Sequence, residues 1–153
     1  MRCEEVSPRY DAVGPGQTLF EFVRYWSRRS NTDASRATEQ NGRYVLVTEV
    51  IWGLSKRGRV TINSVAREIG IDQSGASRLV KDAVQAGYLS MNPSPRDARQ
   101  RMVAVTTAGE QLLVNAHRWQ EEVFERLTSD WKIEERDAFH HAMLRMLERS
   151  HES

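Results

Sequence analysis

Residues 65–89, VAREIGIDQSGASRLVKDAVQAGYL, decide the fold. The first five residues belong to a short helix that Thr61 caps and Gly70 stops. Asp72 has the side-chain oxygen needed to start a second helix. On that helix Ala76, Leu79, Val80, Ala83 and Val84 fall on one apolar stripe. Ser74, Ser77, Arg78, Lys81 and Gln85 fall on the other side, and Gly87 supplies the stop. The pattern is helix, tight turn, helix, with an outer row of small and cationic residues.

Downstream, YLSM (88–91) and RMVAV (101–105) read as two β segments around the proline-containing tip NPSPRDARQ (92–100). Thr106 or Thr107 then opens a long helix, with Glu110 placed to complete a capping box with Thr107. Along it Leu112, Ala116, Trp119, Val123 and Leu127 recur in near-heptad steps, the spacing of a helix that packs lengthwise on another. A last helix from about Glu134 carries Phe139, Met143, Met146 and Leu147.

Upstream, residues 1–16 hold prolines and glycines among polar residues and predict a mobile arm. QTLFEFVRYWSRRS (17–30) places Leu19, Phe22, Val23 and Trp26 at helical spacing, and NTDASRATEQNG (31–42) predicts a polar linker. RYVLVTEVIWGLSKRG (43–58), apolar nearly all round, predicts a buried helix. The expected fold is mainly α with a small β-hairpin, a winged helix-turn-helix core flanked by N- and C-terminal dimerisation helices. Its expected parts are the arm (1–16), scaffold helices (17–57), the winged region (58–106) and C-terminal dimerisation helices (107–153), in one compact domain. Helices beyond those the winged core needs point to a homodimer, with Leu19, Phe22, Trp119, Val123, Phe139 and Met143 as interface candidates.

Two segments carry a family resemblance. One is the helix-turn-helix of residues 65–89. The other is DARQRMVAVTTAG (97–109), where Asp97, Arg99, Val105, Thr106 and Gly109 stand in a wing signature of Asp-x-Arg, an apolar residue, Thr and Gly. Together, in this order and spacing, they resemble the MarR family of bacterial transcription regulators. Ser90, Met91 and Ala98 stand where family members often carry other residues, commonly Arg. The resemblance implies a dimeric repressor whose hold on DNA falls when a small aromatic or anionic effector binds between the dimerisation helices and the winged helix.

The residues agree with such a partner. A recognition helix enters the major groove mainly by its N-terminal half, so small residues near its start and long donors further along are required. Gln73 suits adenine and Arg78 guanine, while Ser74, Ser77 and Lys81 suit phosphate or mixed contacts. Gly75 costs about 1 kcal/mol relative to Ala in a helix interior, so a close approach to DNA or to the preceding helix is expected there. Arg99 at the tip suits a narrow minor groove, Asp97 is placed to orient an arginine, and Arg96 and Arg101 are candidates for backbone phosphates. Two copies would set their helices about one turn of double-stranded DNA apart, on a palindromic operator.

Charge is distributed to match. Residues 55–101 hold nine Lys/Arg against four Asp/Glu, net +5, although the whole chain carries only +1. The segment from residue 107 on holds six basic and ten acidic residues, net −4. A basic middle between neutral and acidic ends is what a polyanion-facing segment requires.

No run approaches the roughly 18 apolar residues of a membrane span, and MRCEEVSPRYDAVGPG has no apolar core of a secretory signal. The expectation is a cytoplasmic protein. One cysteine, Cys3, precludes an intrachain disulfide, and its neighbours Glu4 and Glu5 oppose a reactive thiolate. Trp26, Arg43, Trp52 and His117, with Arg24 and Trp119, are candidates for an aromatic, cationic effector pocket. Asp137 with His141, or His117 with Glu121, gives at most two ligands, too few for a metal site. No cofactor and no catalytic motif is found: Walker loop, GxSxG, HExxH and GxGxxG are all missing. A different class of function for the same fold is a winged-helix module that binds protein in place of DNA.

Overall fold

In the computed structural model the backbone is described for residues 14–29 and 35–152, and side chains for 14–27 and 42–152. The elements in chain order are α1 (Pro15–Arg29), α2 (Ser35–Ser55), α3 (Ile62–Ile69), α4 (Gln73–Gln85), β1 (Leu89–Pro93), β2 (Arg101–Val105), α5 (Thr107–Leu127) and α6 (Ile133–Glu152). The expected class, helical with one hairpin, is what is found. Contacts divide the chain into two compact units, Met1–Glu110 and Gln111–Ser153.

The starts of the first two helices differ from expectation. α1 begins at Pro15, inside the segment expected as an arm, because proline's fixed φ and missing N–H suit a first helical position. Residues 1–13 of the arm, Cys3 included, lie outside the described residues. The linker expected over 31–42 is helical from Ser35 onward. Its polarity gave no apolar stripe, but Arg36, Ala37, Glu39 and Gln40 are good helix formers by intrinsic preference.

The core of the first unit gathers one face of α2 with the helix-turn-helix and the hairpin. Val47 and Ile51 of α2, Val65 of α3, Ala76, Val80 and Ala83 of α4, Leu89 of β1 and Val103 of β2 are all buried there. α2 is buried on that face only: Leu46 and Trp52 are exposed, so its nearly continuous apolar run does not mean burial all round. Thr48, wholly buried in the middle of α2, has a hydroxyl with no hydrogen-bond partner among the described residues. A buried donor left unpaired is destabilising, and valine has almost the same shape. Thr48→Val is therefore expected to raise stability by about 1 kcal/mol, read as a higher urea midpoint at unchanged slope.

Local chemistry sets the turns. Thr61 and Ser64 form a reciprocal capping box at α3, and Gly70 ends it at φ 78°. Asp72 caps α4 by accepting from the Gly75 amide at 3.2 Å, and Gly87, at φ 87°, follows the α4 C-cap. The hairpin pairs antiparallel from Leu89↔Val105 to Pro93↔Arg101, so β1 runs two residues further toward the tip than YLSM suggested.

The start of α5 corrects the expected Thr107–Glu110 capping box. Thr106 is the cap, accepting from the Gly109 amide at 3.1 Å, while its hydroxyl donates to the Gly87 carbonyl at 2.6 Å. Its amide also donates to the Tyr88 carbonyl at 3.1 Å. Threonine is held at 106 from the far side of the hairpin, a partner that no local pattern could reveal.

In the second unit the α5–α6 turn is fastened at Thr128, whose carbonyl accepts from Arg136 Nε and Nη2 at 2.9 and 2.6 Å. Phe139 stacks parallel to Phe124 and meets Trp131 edge-on, with ring centroids 6.4 and 5.4 Å apart.

Candidate nucleic-acid interface

α4 owes its orientation to its buried stripe, which turns the opposite side outward. Gln73, Ser74, Arg78 and Lys81 are exposed there, while Ser77 is half-buried. Ser77 lies with Gln73 and Lys81 along one edge of the helix, lining a cleft of about 710 Å³ between α4 and the wing. Thr61 and Asn63 at the start of α3 line its floor with Met91, and Arg99, Gln100 and Arg101 close its far side. Three cations face this cleft, from Lys81, Arg99 and Arg101, and among the described residues no carboxylate lines it.

The start of α4 is organised by Asp72. Its carboxylate takes hydrogen bonds from the Ser74 hydroxyl and the Gly75 amide. A Cβ on Gly75 would lie 2.7 Å from Asp72 Oδ1. Within the chain the close approach at Gly75 is thus to its own helix cap, and not to the preceding helix as expected. Ser74's hydroxyl proton is committed to that carboxylate, so a phosphate contact would require it to let go.

The same bonds hold the Asp72 acid below the ordinary carboxylate range, the Ser74 hydroxyl foremost, then the Gly75 amide, with the Arg78 charge adding to them. Because the folded value is depressed, the carboxylate's stabilisation is fully present above the unfolded value of 3.8. It is lost as the pH falls through the lower folded value. Wild type should therefore melt above Asp72→Ala at neutral pH, and the gap should close below about pH 3.8 in a pH series of thermal melts.

On the wing, Asp97 orients Arg99 through the backbone: its Oδ1 accepts from the Arg99 amide at 3.0 Å. This differs from the guanidinium partnership a nearby Asp and Arg suggest. Arg96 is exposed and does not line the cleft. Local reading missed Arg59 and Gln100. Arg59 Nη1 donates to Gln100 Oε1 at 2.8 Å across 41 residues, a pairing without a local signal. Asn63 was missed as well, since only the fold carries the start of α3 to the wing side of α4.

The remaining candidates lie elsewhere. Trp26 of α1 packs against Phe22 and Tyr25 of its own helix, and Trp52 of α2 carries Lys56 Nζ 3.2 Å from its ring centre. Arg43 is exposed on α2, His117 is half-buried on α5, and none of these four lines the cleft. Of the interface candidates, Leu19 and Phe22 on α1, Trp119 on α5, and Phe139 and Met143 on α6 are exposed, whereas Val123 is buried within the chain. His141 Nδ1 meets the Asp137 carbonyl at 2.7 Å, so that ring nitrogen serves the helix backbone. No helix among the described residues is long and apolar enough to cross a membrane.

A short helix, a sharp turn, an outward-facing second helix and an antiparallel wing beside it define a winged helix-turn-helix protein. The MarR family's sequence pattern matches residues 47–100, from the middle of α2 to the wing tip, and over that stretch the chain is similar to the winged helix-turn-helix of that family. No curated protein sequence matches the chain.

Among solved structures, wild-type apo MarR from E. coli superposes with a TM-score of 0.65 at 17% identity, covering 88% of this chain and 97% of its own. The transcriptional regulator SlyA gives 0.64 at 14%, covering 92% and 96%. A mutant of S. aureus MepR bound to an oligodeoxyribonucleotide gives 0.58 at 15%, covering 90% and 99%. At these identities the likeness is one of fold, and it extends well beyond the segment that the family pattern matches.

Proposed function

We propose that this chain is a sequence-specific DNA-binding transcription regulator, acting as a homodimeric, ligand-responsive repressor on a palindromic operator. The observation that carries the reading is the cleft between α4 and the wing, lined by Lys81, Arg99 and Arg101 and, among the described residues, by no carboxylate. In double-stranded DNA a sugar–phosphate strand separates each major groove from the neighbouring minor groove. With the outer row of α4 in the major groove and the wing tip at the minor groove, that strand runs through the cleft. Lys81 and Arg101 then meet phosphates, Gln73 and Arg78 meet base edges, and Arg99 enters the minor groove. The oligodeoxyribonucleotide-bound MepR structure, of the same fold, supports the assignment.

Dimerisation is supported by apolar side chains left uncovered in a single chain. On α1, Phe20, Phe22 and Val23 are more than half exposed, and on α6 Met143, Leu144, Met146 and Leu147 are exposed too. Responsiveness to a small aromatic or anionic effector rests on the family resemblance.

A mobility-shift titration at two salt concentrations tests the DNA reading. Binding should weaken steeply with salt, because each neutralised phosphate releases counterions. Arg101→Ala should weaken binding to all duplexes alike and flatten the log–log salt slope by about one. Retention of protein partners without any shift of duplex would favour the protein-binding module instead.

A further inference from the structure

The wing tip is a loop bonded mainly to itself. The Ser94 amide donates to the Gln100 carbonyl at 2.7 Å, and the Gln100 amide donates to the Asp97 carbonyl at 3.0 Å. Ser94, itself buried, accepts from the Arg96 amide at 3.3 Å, and Asp97 holds the Arg99 amide. These bonds fix the shape of residues 94–100 and leave open how the loop stands against the rest of the unit. The core grips the hairpin as far as the middle of its strands, through Leu89, Met91, Val103 and Val105, and the tip projects beyond it with all of residues 95–101 exposed. Two-stranded ribbons have little stability of their own, so a tip that extends past the last core contact would swing.

One side chain reaches the loop from outside. Arg59, in the connection between α2 and α3, donates to Gln100 Oε1 at 2.8 Å. Among the described residues this is the one side-chain hydrogen bond between the tip and the rest of the unit. Gln100 is the residue next to Arg99, and both face the cleft.

We propose that Arg59 is a positioning residue, whose bond to Gln100 sets the wing tip against α4 and thereby determines how selectively Arg99 reads the minor groove at the operator flanks. The inference rests on the DNA-binding reading and adds a specificity determinant that touches no base. Narrow A·T-rich minor grooves attract a guanidinium most, and a tip fixed at one height can exploit that difference. A swinging tip would average over wide and narrow grooves.

The test uses the full chain and three variants: Arg59→Ala, Gln100→Met and the double substitution. Gln100→Met removes the acceptor and leaves every charge in place. In the free protein, NMR order parameters for amides 96–100 are expected to fall in each single variant and no further in the double. On duplexes selected by the wild type, each single variant and the double should lose the same affinity, about fivefold. The preference for A·T over G·C flanks should shrink with it, while base preference opposite Arg78 persists.

Unchanged order parameters in the single variants would overturn the proposal. So would additive affinity losses with the flank preference intact, which would make Arg59 an independent phosphate contact. A wild-type protein that bound no duplex would refute the DNA reading itself, and the free-protein order parameters would still decide whether Arg59 holds the wing.

Discussion

Arg78→Ala is expected to abolish discrimination at a single base pair of each operator half-site while leaving the fold intact. Arg78 is exposed on the outward row of α4, one turn beyond Ser74. A bidentate arginine–guanine pair contributes about 1–3 kcal/mol of discrimination, which is roughly 5- to 150-fold in affinity between the right and wrong base. A titration over duplexes mutated one position at a time should show that loss at one pair, with preferences elsewhere unaltered. Uniform weakening across all positions would place Arg78 on phosphate. Unchanged binding would remove α4 from the major groove altogether.

Gly109→Ala is expected to be the most damaging single-methyl change in the winged unit. A Cβ there would lie 2.2 Å from the Tyr88 carbonyl oxygen and 2.8 Å from Val105 Cγ1. Neither neighbour can retreat easily. The Tyr88 carbonyl accepts from the Thr106 amide, and Tyr88 packs on Tyr44 of α2 with ring centroids 5.4 Å apart. Overpacking against fixed backbone costs about 3 kcal/mol, and in a chain of this size that lowers the melting midpoint by roughly 6–12 °C. Thermal melts followed by circular dichroism check this. A midpoint within a degree of wild type would mean that the hairpin can move away from α5. Gly109 therefore has a physical reason to be glycine: it lets the start of α5 lie against the α4–β1 turn at Tyr88.

Features with local causes were legible in the sequence. The stops at Gly70 and Gly87, the caps at Thr61 and Asp72, and the buried stripe of α4 each depend on residues within one or two turns of one another. Such interactions leave a pattern in a short window. Hence the helix-turn-helix and hairpin were readable in order and nearly in extent, as was the resemblance to the MarR family that the match over 47–100 bears out.

What stayed hidden depends on distant partners. Thr106 rather than Thr107 caps α5 because Gly87 and Tyr88 hold it, 19 and 18 residues away. Ser77 sits half-buried in the cleft rather than among the outermost residues, because α3 and the wing rise beside that edge of α4. Arg59 read as one more cation in a basic stretch until the fold laid it against Gln100. The first two turns of α2 were hidden for a different reason. Helix-forming polar residues without an apolar stripe give no periodic signal, so composition alone suggested a linker.

The central claim, that α4 and the wing together grip double-stranded DNA, is tested most directly by selecting bound duplexes from a random pool with purified protein at low salt. The account predicts enrichment of an inverted repeat whose half-site centres lie about 10 base pairs apart, with A·T-rich steps at the outer flanks. Recovery of a random pool, with no sequence retained above background, would contradict it.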